Sequence, residues 1–99
     1  PYMLMDVERL TNGNTLFNVR NSGIYEINNS GSIVWQHLDI DSSHDVDRLE
    51  NGNTIYVRAW VDQGKAHVIE VDPSGNTVWQ WDGLSEFNTA PYSDIERGG

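Results

Sequence analysis

Cysteine is absent from this 99-residue sequence, which excludes a disulfide framework and any cysteine-based metal or redox site. Basic residues are scarce, since six Lys and Arg stand against 15 Asp and Glu and give a formal net charge of −9. That charge repels phosphate backbones and anionic lipid, so neither nucleic acid nor a membrane is predicted as a partner. Long apolar runs are also missing, and none approaches the ~20 residues of a membrane-spanning helix.

The most prominent feature that is present is an internal duplication. The segment "DVERLTNGNT" at residues 6–15 returns as "DVDRLENGNT" at residues 45–54, an offset of 45 − 6 = 39. A second similar pair, residues 24–36 and 68–80, is offset by 68 − 24 = 44, which is 44 − 39 = 5 residues more. Self-similarity at this spacing indicates structural units that stack or are arranged in a ring.

Each copy has the local signals of short strands joined by tight turns. Asn51-Gly52 supplies residues that tolerate positive φ in a hairpin, just before the β-branched and aromatic segment "TIYVRAWV". Pro73 and Gly75 mark a second turn of the same copy. The first copy shows the same order, and no segment has the apolar spacing of a helix. We therefore predict two four-stranded antiparallel meanders.

Four strands in a repeat of about 40 to 45 residues are typical of a β-propeller blade. Apolar residues fall on both faces of "TIYVRAWV", as a blade that is covered on each side requires. The predicted fold class is all-β, with a first blade at residues 1–38 and a second blade, with its connecting loops, at residues 39–92. Residues 93–99 begin a third copy, because "SDIER" repeats the inner-strand pattern. A single eight-stranded sandwich is the competing interpretation.

The segments "HDVDRLENGNT" and "EVDPSGNTVWQW" resemble the blade repeat of the arylsulfotransferase-like β-propellers and, more distantly, that of the quinoprotein-type propellers. The likeness extends over nearly the whole chain. It implies a ring of about six blades and export to the periplasm or the outside of the cell. It also implies a histidine in the central channel that takes sulfate from one phenol and passes it to another.

Carried onto this sequence, the resemblance implies that His44, immediately before the Asp of the innermost strand, is the catalytic histidine. The other copies differ, because Met5 and Ser93 stand at the equivalent positions. Sulfuryl transfer needs a nucleophile together with cationic or hydrogen-bonding groups around the sulfate oxygens. Arg58, the candidate binding residue, and Arg20 lie on predicted second strands and can contribute only if their side chains turn inward; a solvent-exposed or inter-blade ion-pair role is the favoured alternative.

Other recurring polar and aromatic residues have structural interpretations. Asp6, Asp45 and Asp94 are each followed three residues later by an arginine, which indicates a carboxylate tie between neighbouring blades or to backbone amides. Trp35 and Trp79 end the predicted fourth strands and are expected to pack between blades.

One stretch has the spacing of a calcium-binding loop. Ligand-type side chains occupy positions 1, 3, 5, 7, 9 and 12 of the segment that begins at residue 39. They are Asp39, Asp41, Ser43, Asp45, Asp47 and Glu50. His44 stands where such a loop needs Gly and the flanks are predicted strands, so no metal site is predicted. No cofactor is predicted either.

Two function classes remain open from the sequence. The first is a structural or binding module that forms a closed ring with copies of itself or with the remaining blades of a longer propeller. The second is an arylsulfotransferase that uses His44, although turnover by this chain alone is not expected. Two blades leave broad apolar faces bare, which favours the first class. We also expect residues after about Tyr92 to be peripheral and His44 to face the ring axis.

Overall fold

The computed structural model describes residues 3–61 and 65–81, and within these ranges it contains eight β-strands and no helix. In chain order the strands are β1 (Met3–Arg9), β2 (Thr15–Arg20), β3 (Gly23–Ile27), β4 (Ile33–Leu38), β5 (Ser42–Arg48), β6 (Thr54–Val61), β7 (Lys65–Val71) and β8 (Thr77–Trp81). They form two sheets, ordered β1-β2-β3-β4 and β5-β6-β7-β8, in which neighbouring strands are antiparallel. The predicted all-β class, with two four-stranded antiparallel meanders, is confirmed.

The predicted division of the chain lies partly beyond these ranges. The boundary at residue 92 and the third copy at residues 93–99 fall outside the described residues. A linker at residues 39–41 joins the end of β4 to the start of β5. The three-part division therefore stays a prediction.

Equivalent Asn-Gly turns close the first hairpin of each sheet. Gly13 and Gly52 both have a φ of 91°, a left-handed conformation that residues with a Cβ rarely adopt. In the first turn the amide of Gly13 donates to the carbonyl of Leu10 at 3.0 Å. The Asn12 side chain accepts a 2.9 Å hydrogen bond from the amide of Asn14. These bonds explain why "NGN" follows the first strand of each copy.

The first sheet, β1–β4, has two different faces, because cross-strand partners point to the same side and successive residues alternate. One face, here called the docked face, contacts the second sheet. Its side chains are Asp6, Glu8, Leu16, Asn18, Ile24, Glu26, Trp35 and His37. The opposite face, here called the open face, carries Leu4, Val7, Arg9, Phe17, Val19, Tyr25, Ile27, Ile33 and Leu38.

The hydrophobic core lies between the two sheets. Its buried side chains are Leu10, Leu16, Ile24, Val46, Tyr56, Ile69 and Val71, with Trp35 packed against them. Leu16 and Ile24 of the docked face are completely buried. Removal of this apolar surface from water is the main force that holds the sheets together.

The two sheets are stacked head to tail. Side chains of the second sheet that meet the docked face include Val46, Arg48 and Tyr56. The residues 39 positions earlier in the sequence are Val7, Arg9 and Phe17. These three belong to the open face, so the surface with which the second sheet docks is the counterpart of the surface that the first sheet leaves open. This relation favours successive blades over a sandwich whose two inner faces are equivalent.

Candidate functional site

His44 lies in a β-bulge at the start of β5. Ser43 pairs with Val57 and Val46 pairs with Tyr56, so His44 and Asp45 are additional residues in the strand. His44 has a φ of 65°, which is uncommon for a residue other than glycine. Bulges redirect side chains locally, and this one sets the direction of the half-buried imidazole.

The first sheet has a bulge at the equivalent place. The register of β1 with β2 shifts between Leu4 and Asp6, which leaves Met5 as the additional residue. A bulge therefore occurs in the first strand of each sheet, with one additional residue in β1 and two in β5, whereas the histidine belongs to the second sheet alone. Within the described residues, no hydrogen bond or ion pair engages the His44 side chain. Its assignment as a catalytic residue, and its direction relative to a ring axis, stay predictions.

Arg58 is engaged by the linker between the two sheets. Its Nε lies 2.8 Å from Oδ2 of Asp39, and its Nη2 lies 3.0 Å from Oδ2 of Asp41. The hydroxyl of Tyr56 donates to the same Asp39 oxygen at 2.6 Å. Burial, and then the hydrogen bond to Asp39, raise the pKa of Tyr56, so its hydroxyl keeps its proton and acts as a donor. Arg58 thus forms ion pairs with the linker at residues 39–41 of its own unit, and a ligand-binding role stays a prediction.

The segment with calcium-like spacing does not bring its side chains to one point. Asp39 and Asp41 contact Arg58 from the linker, while Ser43, Asp45 and Asp47 are spread along β5. Glu50 is exposed in the following turn. No group of three His, Cys, Asp or Glu side chains able to hold a metal ion is present in residues 3–61 and 65–81.

Two carboxylates of β1 bind backbone amides of β5. Oδ2 of Asp6 accepts a hydrogen bond from the amide of Val46 at 3.1 Å, and Oε1 of Glu8 accepts one from the amide of Arg48 at 3.3 Å. Asp6 begins the Asp–Arg pattern noted in the sequence, so for this copy the predicted tie between neighbouring units is confirmed. The two bonds connect β1 of the first sheet to β5 of the second sheet.

Arg48 makes three side-chain contacts at the junction. Its Nη2 forms an ion pair with Oε1 of Glu26 at 3.1 Å, and its Nε donates to Oγ1 of Thr54 at 2.9 Å. The guanidinium carbon lies 5.1 Å from the ring centroid of Trp35, which adds a cation–π contact. Burial acts to raise the pKa of Glu26, but hydrogen bonds from Asn14 and Asn12, together with the Arg48 charge, outweigh it, and the pKa lies below its ordinary value.

Aromatic residues complete the contact between the sheets. Nε1 of Trp35 donates to the carbonyl of Pro73 at 2.8 Å, so the predicted packing of Trp35 between units is confirmed. The His37 ring lies 6.4 Å from the Trp35 ring and 5.8 Å from the Tyr56 ring, centroid to centroid. Trp79, the counterpart of Trp35, is 37% exposed.

Several residues of this junction were not singled out by the sequence reasoning. They are Glu8, Glu26 and Tyr56. Glu26 had a usable signal, because Glu70 lies 70 − 26 = 44 residues later, at the offset of the second repeated segment. Both glutamates are buried, at 6% and 2% exposure, and such burial of a charged residue requires a partner.

The stability of the junction is expected to depend on pH through Glu8. Burial, and then the hydrogen bond and charge of Asp47 across the junction, raise the pKa of Glu8 from 4.5 to about 7, against the opposing Arg48 amide. The folded chain holds the Glu8 proton more tightly than the unfolded chain does. The free energy of unfolding therefore falls as pH rises from 4.5 to about 7. Glu8→Gln should therefore be more stable than the parent at pH 8 and show a flatter dependence of Tm on pH.

The control for this experiment is Glu50→Gln, which removes the same charge from an exposed turn residue. Thermal unfolding followed by circular dichroism between pH 5 and pH 8 gives the comparison. Parallel curves for the parent and Glu8→Gln would show that Glu8 is already ionised at pH 5 in the folded chain.

The fold and the junction together define a class of protein: an all-β chain of two four-stranded, blade-like sheets that stack head to tail through carboxylate, arginine and tryptophan contacts. The sequence model of the family described as Arylsulfotransferase (ASST) matches residues 2–95. The chain therefore belongs to the arylsulfotransferase (ASST) family. No curated protein and no solved structure gives a significant match to it. Among the described residues, no helix is long and apolar enough to cross a membrane.

Proposed function

We propose that this chain is a two-blade unit of a β-propeller and that its role is assembly into a closed ring. The observation that carries the proposal is the head-to-tail stacking of the two sheets. A contact that joins a docking surface to its non-equivalent counterpart can be repeated by a further blade with the same geometry.

The open face supports this proposal because it presents apolar side chains to solvent. Leu4, Val7, Ile33 and Leu38 are 56%, 54%, 56% and 63% exposed. Their counterparts in the second sheet include Val46, which is 4% exposed. Monomeric proteins rarely leave a contiguous apolar face of this kind uncovered.

Copies of the chain are the proposed source of the further blades. Repeated head-to-tail contacts either close into a ring or continue as a filament. Propellers close with roughly four to eight blades, so three chains would give about six blades and four chains would give about eight. The remaining blades of a longer propeller would cover the same surface.

Sulfuryl transfer at His44 is the second candidate function. In that reaction an imidazole nitrogen would attack sulfur as the bond from sulfur to the donor phenol oxygen breaks, releasing the donor phenolate. The oxygen of an acceptor phenol would then attack sulfur, break the nitrogen–sulfur bond and lose its proton to the released phenolate or to water. Family membership and the bulge at His44 support it. The pairing of Arg58 with Asp39 and Asp41 weakens it, because the nearby cation already has two anionic partners.

Two measurements test the proposed function. Light scattering should give a particle of about three or four chains at micromolar concentration, and a stable monomer would contradict the assembly role. A sulfuryl-transfer assay with a nitrophenyl sulfate donor and a phenol acceptor should show no turnover. Turnover that is lost in His44→Ala but retained in Ser43→Ala would establish the second candidate instead.

A further inference from the structure

Asn18 is a completely buried side chain whose amide has no partner. It is 0% exposed, and neither Oδ1 nor Nδ2 forms a hydrogen bond with any of the described residues. Asn18 belongs to the docked face, where it is the cross-strand partner of Asp6 in β1. Burial of an amide without hydrogen bonds is unfavourable, so a stable chain is expected to satisfy both atoms.

The second sheet shows that this type of strand does not need an amide at the equivalent position. The residue 39 positions after Asn18 is Val57, which pairs with Val68 as Asn18 pairs with Ile24. Val57 is 1% exposed, so an apolar side chain fills the equivalent place. The buried amide is therefore a feature of the first sheet and not a requirement of the shared strand order.

Ser42 brings a second unpartnered group to the junction from the opposite side. Ser42 and Val46 lie on the same face of β5, because their partners in β6 are two residues apart. Val46 belongs to the core between the sheets, and its amide donates to Asp6, the neighbour of Asn18. The Ser42 hydroxyl is on a residue only 1% exposed, and it has no hydrogen-bond partner within the part of the chain that the structure describes.

The hydrogen-bonding groups define the chemistry of the occupant. Oδ1 of Asn18 needs a donor, whereas its Nδ2 needs an acceptor. A metal ion would satisfy Oδ1 alone, and an anion would satisfy Nδ2 alone. Water both donates and accepts, and buried water characteristically bonds to polar groups that the chain itself leaves unsatisfied.

We propose that the junction between the two sheets is a binding site for buried water, in which Asn18 and Ser42 hold one or more water molecules beside the bulge that carries His44. Oδ2 of Asp6 is already bonded to the amide of Val46, so its Oδ1 is the further acceptor next to Asn18. The water would connect the sheets in addition to that direct bond. Because the site lies within a single chain, it is independent of the proposed assembly.

Oxygen-17 magnetic relaxation dispersion, which detects water molecules with long residence times, tests the site. A domain of this size is expected to hold several buried waters, so the difference between variants is the informative quantity. Asn18→Val introduces the residue of the second sheet and should lower the dispersion amplitude by the contribution of about one water or more. Ser42→Ala should also lower it. The control Ser43→Ala removes a hydroxyl from the adjacent position, on the opposite side of β5, and should leave the amplitude unchanged.

A second readout needs no substitution. In the parent chain, NMR cross-relaxation should connect water with the Nδ2 protons of Asn18, because a bound water lies within hydrogen-bond distance of them. The lack of that cross-peak in the folded parent would overturn the proposal. An unchanged dispersion amplitude in folded Asn18→Val, or an equal decrease in Ser43→Ala, would overturn it as well.

Discussion

Arg48→Ala should lower the free energy of unfolding by about 3 kcal/mol, the lower end of the range for removal of one partner from a buried ion pair. Only 8% of the Glu26 side chain and 21% of the Arg48 side chain are exposed, so solvent replaces the lost contact poorly. The substitution also removes the cation–π contact with Trp35 and the hydrogen bond to Thr54. Urea unfolding at neutral pH measures the change.

Two further variants separate the ion pair from the general effect of losing an arginine. Arg20→Ala removes an exposed arginine from the first sheet and should change stability by less than about 0.5 kcal/mol. Combining Arg48→Met with Glu26→Gln removes both charges while keeping similar volumes, and it should recover part of the loss. Equal effects of Arg48→Ala and Arg20→Ala would mean that Arg48 does not contribute to the junction through Glu26.

Much of the fold could be predicted because its determinants are local or repeated. Asn51-Gly52 carries the positive φ that the hairpin needs, and the structure gives Gly52 that conformation. The duplication implied that both units share one topology, which the two strand orders show. Turn chemistry and periodicity are written in adjacent residues, so a single sequence is sufficient to detect them.

The candidate site was less predictable because its contacts join residues that are far apart in the chain. Glu26 and Arg48 become partners only when the docked face meets the second sheet. Asn18 is completely buried, and both of its amide atoms lack a hydrogen-bond partner within the described residues, although its sequence neighbours gave no sign of this. Contacts and burial at such positions depend on how the two sheets stack, and the β-propensity of individual residues does not determine that stacking.

The identity of His44 as a candidate residue could be predicted from the sequence, whereas its backbone conformation could not. Family resemblance identified the residue, but no local signal predicted its left-handed conformation within a bulge. Met5 lies at the counterpart bulge, which contains one additional residue where the bulge at His44 contains two. A bulge occurs in both sheets, and the imidazole is a feature that only one copy adds to it.

Leu16→Ala should destabilise the chain by about 2–5 kcal/mol, because it opens a cavity in the core between the sheets. Leu16 is 0% exposed and packs on the docked face with Ile24, opposite Val46 and Tyr56. Since one core serves both sheets, unfolding of this variant should remain a single transition in which both sheets are lost together.

The matched control is Leu38→Ala, the same substitution in the same sheet but on the open face. Leu38 is 63% exposed, so its truncation creates no cavity and should cost less than about 1 kcal/mol at a concentration where the chain is monomeric. At higher chain concentration the loss of stability caused by Leu38→Ala should become larger, because assembly covers the open face. The loss caused by Leu16→Ala should change much less. Equal costs at low concentration would contradict the division into docked and open faces.

Circular dichroism and tryptophan fluorescence should report the same midpoint for Leu16→Ala, whereas two separate midpoints would show that each sheet unfolds by itself.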